Sequence, residues 1–99
     1  MKATISPKIA YVPIQGTLSI HSAKTVETQL QTAILSETDS QIYVDMSKVE
    51  FIDSTGLSTI LRAYALSEEH QRSLVLYRVS TPVRMVLELT GLDKRLKIA

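Results

Sequence analysis

Phe51-Ile52-Asp53-Ser54-Thr55-Gly56-Leu57 is the stretch that decides the fold, because an apolar strand ends in it and an amphipathic helix begins with hydroxyls at its mouth. After Gly56 the apolar residues fall at Leu57, Ile60, Leu61, Tyr64 and Ala65, the spacing of a single buried helical stripe. Upstream, Gln41, Tyr43 and Asp45 alternate with Ile42, Val44 and Met46, the period of a strand with one face buried. A short turn through Ser47-Lys48 is expected to carry that strand on to Phe51-Ile52. A strand therefore feeds a helix through Asp53-Ser54, where the first helical turn offers N–H groups without intrahelical partners and a partial positive charge. Asp53 or Ser54 suits the place as a cap, and Gly56 lets backbone or a partner approach closely.

Outward from this junction, Lys2 to Ile5 and Ile9 to Gln15 read as strands joined by a turn at Ser6-Pro7-Lys8. Pro13 has no N–H for a ladder and marks an edge, a bulge or a strand end. Val26, Leu30, Ala33 and Ile34 follow helical spacing from Ala23, with Ser22 as cap, on a helix apolar enough to bury only part of its surface. The helix after Ser54 runs to about Glu69, and Ser73 to Tyr77 is a strand rich in branched and aromatic residues. Thr81-Pro82 places proline at a helix's first position, Gly91 stands where a left-handed carboxyl cap belongs, and Leu96 and Ile98 close with a short strand. Two strands followed by alternating helix and strand predict an α/β domain. Its mixed sheet of four to five strands has mainly parallel later strands, and the polar side of the Gln41–Asp45 strand puts the helices mainly on one face.

Ninety-nine residues make one domain, residues 1–99, with one core. Eleven basic and ten acidic residues leave a formal charge of +1 with no long block of either sign. Lys94-Arg95-Leu96-Lys97 reads as a solvated final strand, so no nucleic-acid partner is expected. The absence of cysteine excludes disulfides, thiol nucleophiles and cysteine-ligated metals. The amino terminus lacks the apolar core of a signal peptide and no apolar run is long enough to span a bilayer, so a cytoplasmic protein without membrane association is expected.

Enzymatic chemistry finds little material. Ser54 as a nucleophile needs a base and an oxyanion hole. The only histidines are His21 and His70, and the Gly-x-Ser-x-Gly elbow is absent. No phosphate-binding glycine loop precedes a Lys-Ser/Thr pair, and two histidines without cysteine do not make a metal site. No enzyme activity, cofactor, metal or small-molecule substrate is expected.

Taken as a unit, Asp53-Ser54-Thr55-Gly56-Leu57 after a hydrophobic pair resembles the signature of the STAS family, and more closely its bacterial anti-sigma factor antagonists. Gly16-Thr17-Leu18-Ser19 before a helix near Ser22 looks like the family's Gly-x-Leu-Asp turn. Ser80-Thr81-Pro82-Val83-Arg84 and Leu89-Thr90-Gly91-Leu92 look like its last helix and closing Gly-Leu. The likeness spans nearly the whole chain in order. It implies a single STAS domain and a phosphorylated serine directly after the aspartate, which is Ser54. It also implies a partner-binding surface of Asp53, Ser54, Thr55, Gly56, Leu57 and Ser19. Asp53 would cap the helix or orient the serine hydroxyl.

The implied circuit is partner switching. The unphosphorylated chain binds an anti-sigma factor that is itself an ATP-dependent serine kinase and frees the sigma factor. Phosphorylation of Ser54 switches binding off, and a metal-dependent PP2C-type phosphatase restores it. Phosphate brings roughly −1.5 to −2 charge. A helix amino terminus tolerates that charge, whereas a buried docking surface does not. Two departures stand out: Ser19 replaces the antagonists' usual aspartate, which bears on phosphorylation and on the choice of kinase, and Glu69-His70-Gln71-Arg72 replaces a glycine-rich turn. The alternative is a constitutive STAS scaffold in which Ser54 is only a cap.

Overall fold

The computed structural model describes residues 9–36 and 41–99. The expected Lys2–Ile5 strand and its turn lie outside them. Four strands alternate with three helices: β1 (Ile9–Leu18), α1 (Ala23–Leu35), β2 (Gln41–Ile52), α2 (Ser54–Glu69), β3 (Ser73–Tyr77), α3 (Thr81–Leu89), a 3-10 turn (Leu92–Lys94) and β4 (Lys97–Ile98). The sheet order is β1-β2-β3-β4 and every pairing among the described residues is parallel. The sheet was expected to be mixed with mainly parallel later strands; the described strands are all parallel, and the Lys2–Ile5 part of that expectation lies outside the described residues. Parallel neighbours need long crossovers, and each helix is one.

Val44, Met46, Val49 and Ile52 of β2 are buried together with Val26, Leu30 and Ile34 of α1, Ile60 and Ala63 of α2, and Val83 and Leu87 of α3, in one hydrophobic core. The helices thus cover one face. The other carries Tyr11, Tyr43 and Tyr77 from three adjacent strands, their ring centroids 5.5–6.2 Å apart.

β2 departs from expectation in running unbroken through Ser47-Lys48. Pro13 pairs with Asp45 but Gln15 with Lys48, and Gly16 pairs with Val49 but Thr17 with Phe51. At each step β2 holds one residue more than its partner, which is why twelve residues of β2 lie along ten of β1. Each extra residue resets the inward alternation, so Met46, Val49 and Ile52 all point into the core. A spacing of three is foreign to a regular strand, and in the sequence it imitates a turn.

At the end of α2, Gln71 N–H donates to Glu68 O (3.1 Å) and Arg72 N–H to Ser67 O (2.8 Å), the crossed bonds of a Schellman cap. Gln71 takes φ 58, a left-handed conformation that disfavours a side chain. The Arg72 side chain then reaches carbonyls at the end of α1, donating Nε–H to Ile34 O at 3.2 Å and bonding Ser36 O. The non-glycine turn is therefore a strained cap that ties two helix ends together. Gln71→Gly is expected to raise stability by about 0.5–1 kcal/mol, because relief of the left-handed strain exceeds the added entropy of the unfolded glycine. Urea unfolding checks this, and an unchanged or lower midpoint would show the turn to be unstrained.

Gly91 has φ 76 and its N–H bonds Glu88 O, the expected left-handed cap of α3. Pro82 is the second rather than the first helical residue, since α3 begins at Thr81. A proline costs no intrahelical bond at either place.

Candidate functional site

All three helices start where a parallel strand ends, so their amino termini share the carboxyl edge of the sheet. There Leu18 and Ile52 are register partners, both buried, and the chain leaves the sheet after each. Asp53 N–H donates to Leu18 O at 3.1 Å. Asp53 is extended (φ −104, ψ −174), its Oδ1 accepts the Gly56 N–H at 2.8 Å, and its carbonyl accepts the Leu57 N–H at 2.9 Å. Of the two candidate caps the structure selects Asp53, and Ser54 becomes the first residue of α2.

Ser54 is exposed, and among the described residues its hydroxyl makes no hydrogen bond. Thr55 and Leu57 are half-buried, Leu57 packing on the edge of the core. Gly56, which the resemblance implies is part of the docking surface, is buried, and of the two close approaches open to it the structure shows the one by backbone. A Cβ there would stand 2.3 Å from Leu18 O, 2.8 Å from Ile52 Cγ1 and 2.9 Å from Leu18 Cγ. Gly56 seats α2 against the end of β1.

Ser19 follows Leu18 as Asp53 follows Ile52, which sets the two side by side. Its Oγ accepts the His21 N–H at 3.3 Å and its N–H donates to Ser22 Oγ at 3.0 Å. Ser22 occupies the cap position of α1 without capping by its side chain. Its hydroxyl donates to Thr17 O at 2.8 Å and so closes the turn before the helix. Ser80 behaves alike at α3, donating to Val49 O at 2.8 Å and fastening that helix start to β2.

Two apolar residues at this edge escaped the sequence reading: Ile20 is 67% exposed and Phe51 is 53% exposed. Ile20 lies in the turn after Ser19, where a polar setting gave no signal. Phe51 and Ile52 form the hydrophobic pair before Asp53, but only Ile52 points inward. His70 caps the far end of α2, about 24 Å of helix from Ser54. His21 is exposed, and neither histidine bonds Ser54. The groove of about 300 Å³ between α1 and α2, lined by Glu27, Thr59, Arg62, Ala63 and Leu66 among others, does not include Ser54. What the edge presents is an exposed Ser54 hydroxyl at a capped helix start, with no histidine among the described residues bonded to it.

A parallel sheet with helices on one face, whose second helix opens on a capped Asp-Ser-Thr-Gly, defines the class. The STAS domain family model matches residues 1–99, and the chain belongs to that family. Among curated relatives, the anti-sigma F factor antagonist of Paenibacillus polymyxa is 29% identical over 90 residues, 91% of this chain and 77% of that protein. Among solved structures, a Thermotoga maritima protein described as an anti-sigma factor antagonist superposes with a TM-score of 0.82 at 25% identity, over 96% of this chain and 81% of that one. The anti-sigma factor antagonist SpoIIAA in its unphosphorylated form gives a TM-score of 0.75 at 22% identity, over 98% and 84%. SpoIIAA has also been solved phosphorylated. Among the described residues no helix is long and apolar enough to cross a membrane.

Proposed function

We propose that this chain is a cytoplasmic anti-sigma factor antagonist, a regulatory binding protein rather than an enzyme, switched by phosphorylation at Ser54. Unphosphorylated, it binds an anti-sigma factor that is also a serine kinase, and the sigma factor is freed. The kinase transfers the γ-phosphoryl group of ATP to Ser54 Oγ, the hydroxyl proton being lost, and ADP leaves. A PP2C-type phosphatase hydrolyses the phosphoserine and resets the chain. ATP and metal ions belong to those enzymes.

The observation that carries this reading is the Ser54 hydroxyl itself. It is the first residue of α2, exposed, and relieved of capping by Asp53. A serine needed only as a cap would bond the first helical turn; this one does not. The curated relative's name and the two states of SpoIIAA support the same reading. Asp53, Ser54, Thr55, Leu57 and Ser19 form the accessible part of the docking surface, with Gly56 holding it in place from beneath.

Intact-mass spectrometry with phosphopeptide mapping, on protein isolated from its own organism beside Ser54→Ala, tests the switch. A phosphorylated fraction that maps to Ser54 and disappears in the variant is expected. No phosphate under growth, starvation or stress would favour a constitutive scaffold, in which Ser54→Ala leaves partner binding unchanged.

A further inference from the structure

No run of the sequence is strongly basic, yet the fold gathers cations from three distant segments around the open face of the sheet. Tyr11, Tyr43 and Tyr77 occupy its middle, each ring in tilted or edge contact with the other two. Tyr11 is 60% exposed. The Arg78 guanidinium lies 5.6 Å from the Tyr77 ring centroid, and its Nε is 3.8 Å from Asp45 Oδ1. A cavity of about 270 Å³ beside the rings is lined by Pro13, Gln15, Asp45, Lys48 and Arg78 among others. Lys97, the register partner of Val75 on this face, reaches Ser73 Oγ at 3.2 Å.

Cross-strand aromatic contacts alone would stabilise the sheet, and that accounts for three rings meeting. It does not account for the setting. Arg78 holds φ 57, a left-handed conformation costly for arginine, at the point where its side chain overhangs Tyr77 and the cavity. Lys48 and Arg78 line the cavity, Arg78 overhangs Tyr77 and Lys97 stands beside Val75, whereas the carboxylate of Asp45 already has the Ser47 N–H at 2.9 Å and Arg78 as partners. A second copy laid on this face would bring like charges together. The complement of an exposed ring flanked by cations is a chain of planar groups bearing anions.

Against the expectation of no nucleic-acid partner drawn from the sequence, we propose that the open face is a weak binding platform for single-stranded nucleic acid, with a base stacked on Tyr11 and phosphates taken by Lys48, Arg78 and Lys97. This site is separate from the Ser54 edge and does not depend on the switch.

The test is fluorescence anisotropy of a labelled oligouridylate RNA with the full chain in low salt. Binding with a Kd of roughly 10⁻⁴–10⁻⁵ M is expected. Three phosphate contacts give a log–log salt slope of about −2, which Lys97→Gln should lower in size by about 0.7. Tyr11→Leu, which keeps an apolar side chain on β1, should weaken binding about fivefold or more. Absence of binding, or an affinity unmoved by Tyr11→Leu, would leave the rings a purely structural cluster and overturn the proposal. Equal competition by polyglutamate at matched charge would overturn it in favour of an acidic protein partner. Concentration-dependent self-association that masks Tyr11 would overturn it in favour of a dimer.

Discussion

Gly56→Ala is expected to destabilise the domain by about 2–3 kcal/mol, lowering the melting temperature by roughly 10–20 °C. Two effects oppose each other. Alanine is the better helix former by about 1 kcal/mol. Its methyl group, however, would lie 2.3 Å from the backbone oxygen of Leu18, an atom that cannot swing aside as a flexible side chain would. The same oxygen accepts the Asp53 N–H, so moving α2 outward also strains the bond that starts the junction, worth about 1 kcal/mol. Overpacking therefore prevails. Thermal unfolding beside Ser58→Ala, an exposed position on the same helix, separates the steric effect from helix propensity. A melting temperature equal to or above that of the unsubstituted protein would mean that α2 does not approach β1 this closely. Because the glycine is buried, partner affinity should fall with the folded fraction and no further.

On the proposed function, phosphorylation of Ser54 should reduce affinity for the anti-sigma factor at least about 100-fold while shifting the melting temperature by only a few degrees. In the free protein the phosphate stands at the start of α2, where helix N–H groups and dipole favour it by about 0.3–1 kcal/mol, and repulsion from the neighbouring Asp53 opposes this by a similar amount. In the complex the same dianion must lose water beside a carboxylate, at a cost of several kcal/mol. Each 1.4 kcal/mol is tenfold in affinity. Titration calorimetry on the two forms, with scanning calorimetry on each alone, reads both quantities. Equal affinities would remove the switch, and a collapse in melting temperature would show that phosphate acts by unfolding the junction.

Much of this was legible in sequence because local signals and tertiary packing agreed. α2 begins and ends where its apolar stripe and hydroxyls place it, Ser73–Tyr77 matches its branched run, and Gly91 caps α3 as expected. Pro13 marked an edge, a bulge or a strand end, and the first register shift falls there, between Pro13 and Gln15; that the extra residues sit in β2 was not legible, since a bulge is a property of paired strands and the pairing was not in view. The site divides along the same line. Ser54 at a strand-to-helix junction could be read directly. That Gly56 faces inward, that Ser22 spends its hydroxyl on Thr17, and that Ile20 stands in solvent all depend on where β1 lies beside β2. The three tyrosines, alternating with buried residues on separate strands, showed only as the polar side of a sheet.

The tyrosine cluster also governs how the molecule absorbs and emits light. The chain has four tyrosines and no tryptophan, and three of the four lie within 6.2 Å of one another. Their near-ultraviolet transitions are therefore electronically coupled, and excitation passes readily among them. Near-ultraviolet dichroism and tyrosine emission thus report chiefly on the register of β1, β2 and β3 at the open face and hardly at all on the edge that carries Ser54. A native optical spectrum certifies the sheet, and the junction has to be followed by a label placed there.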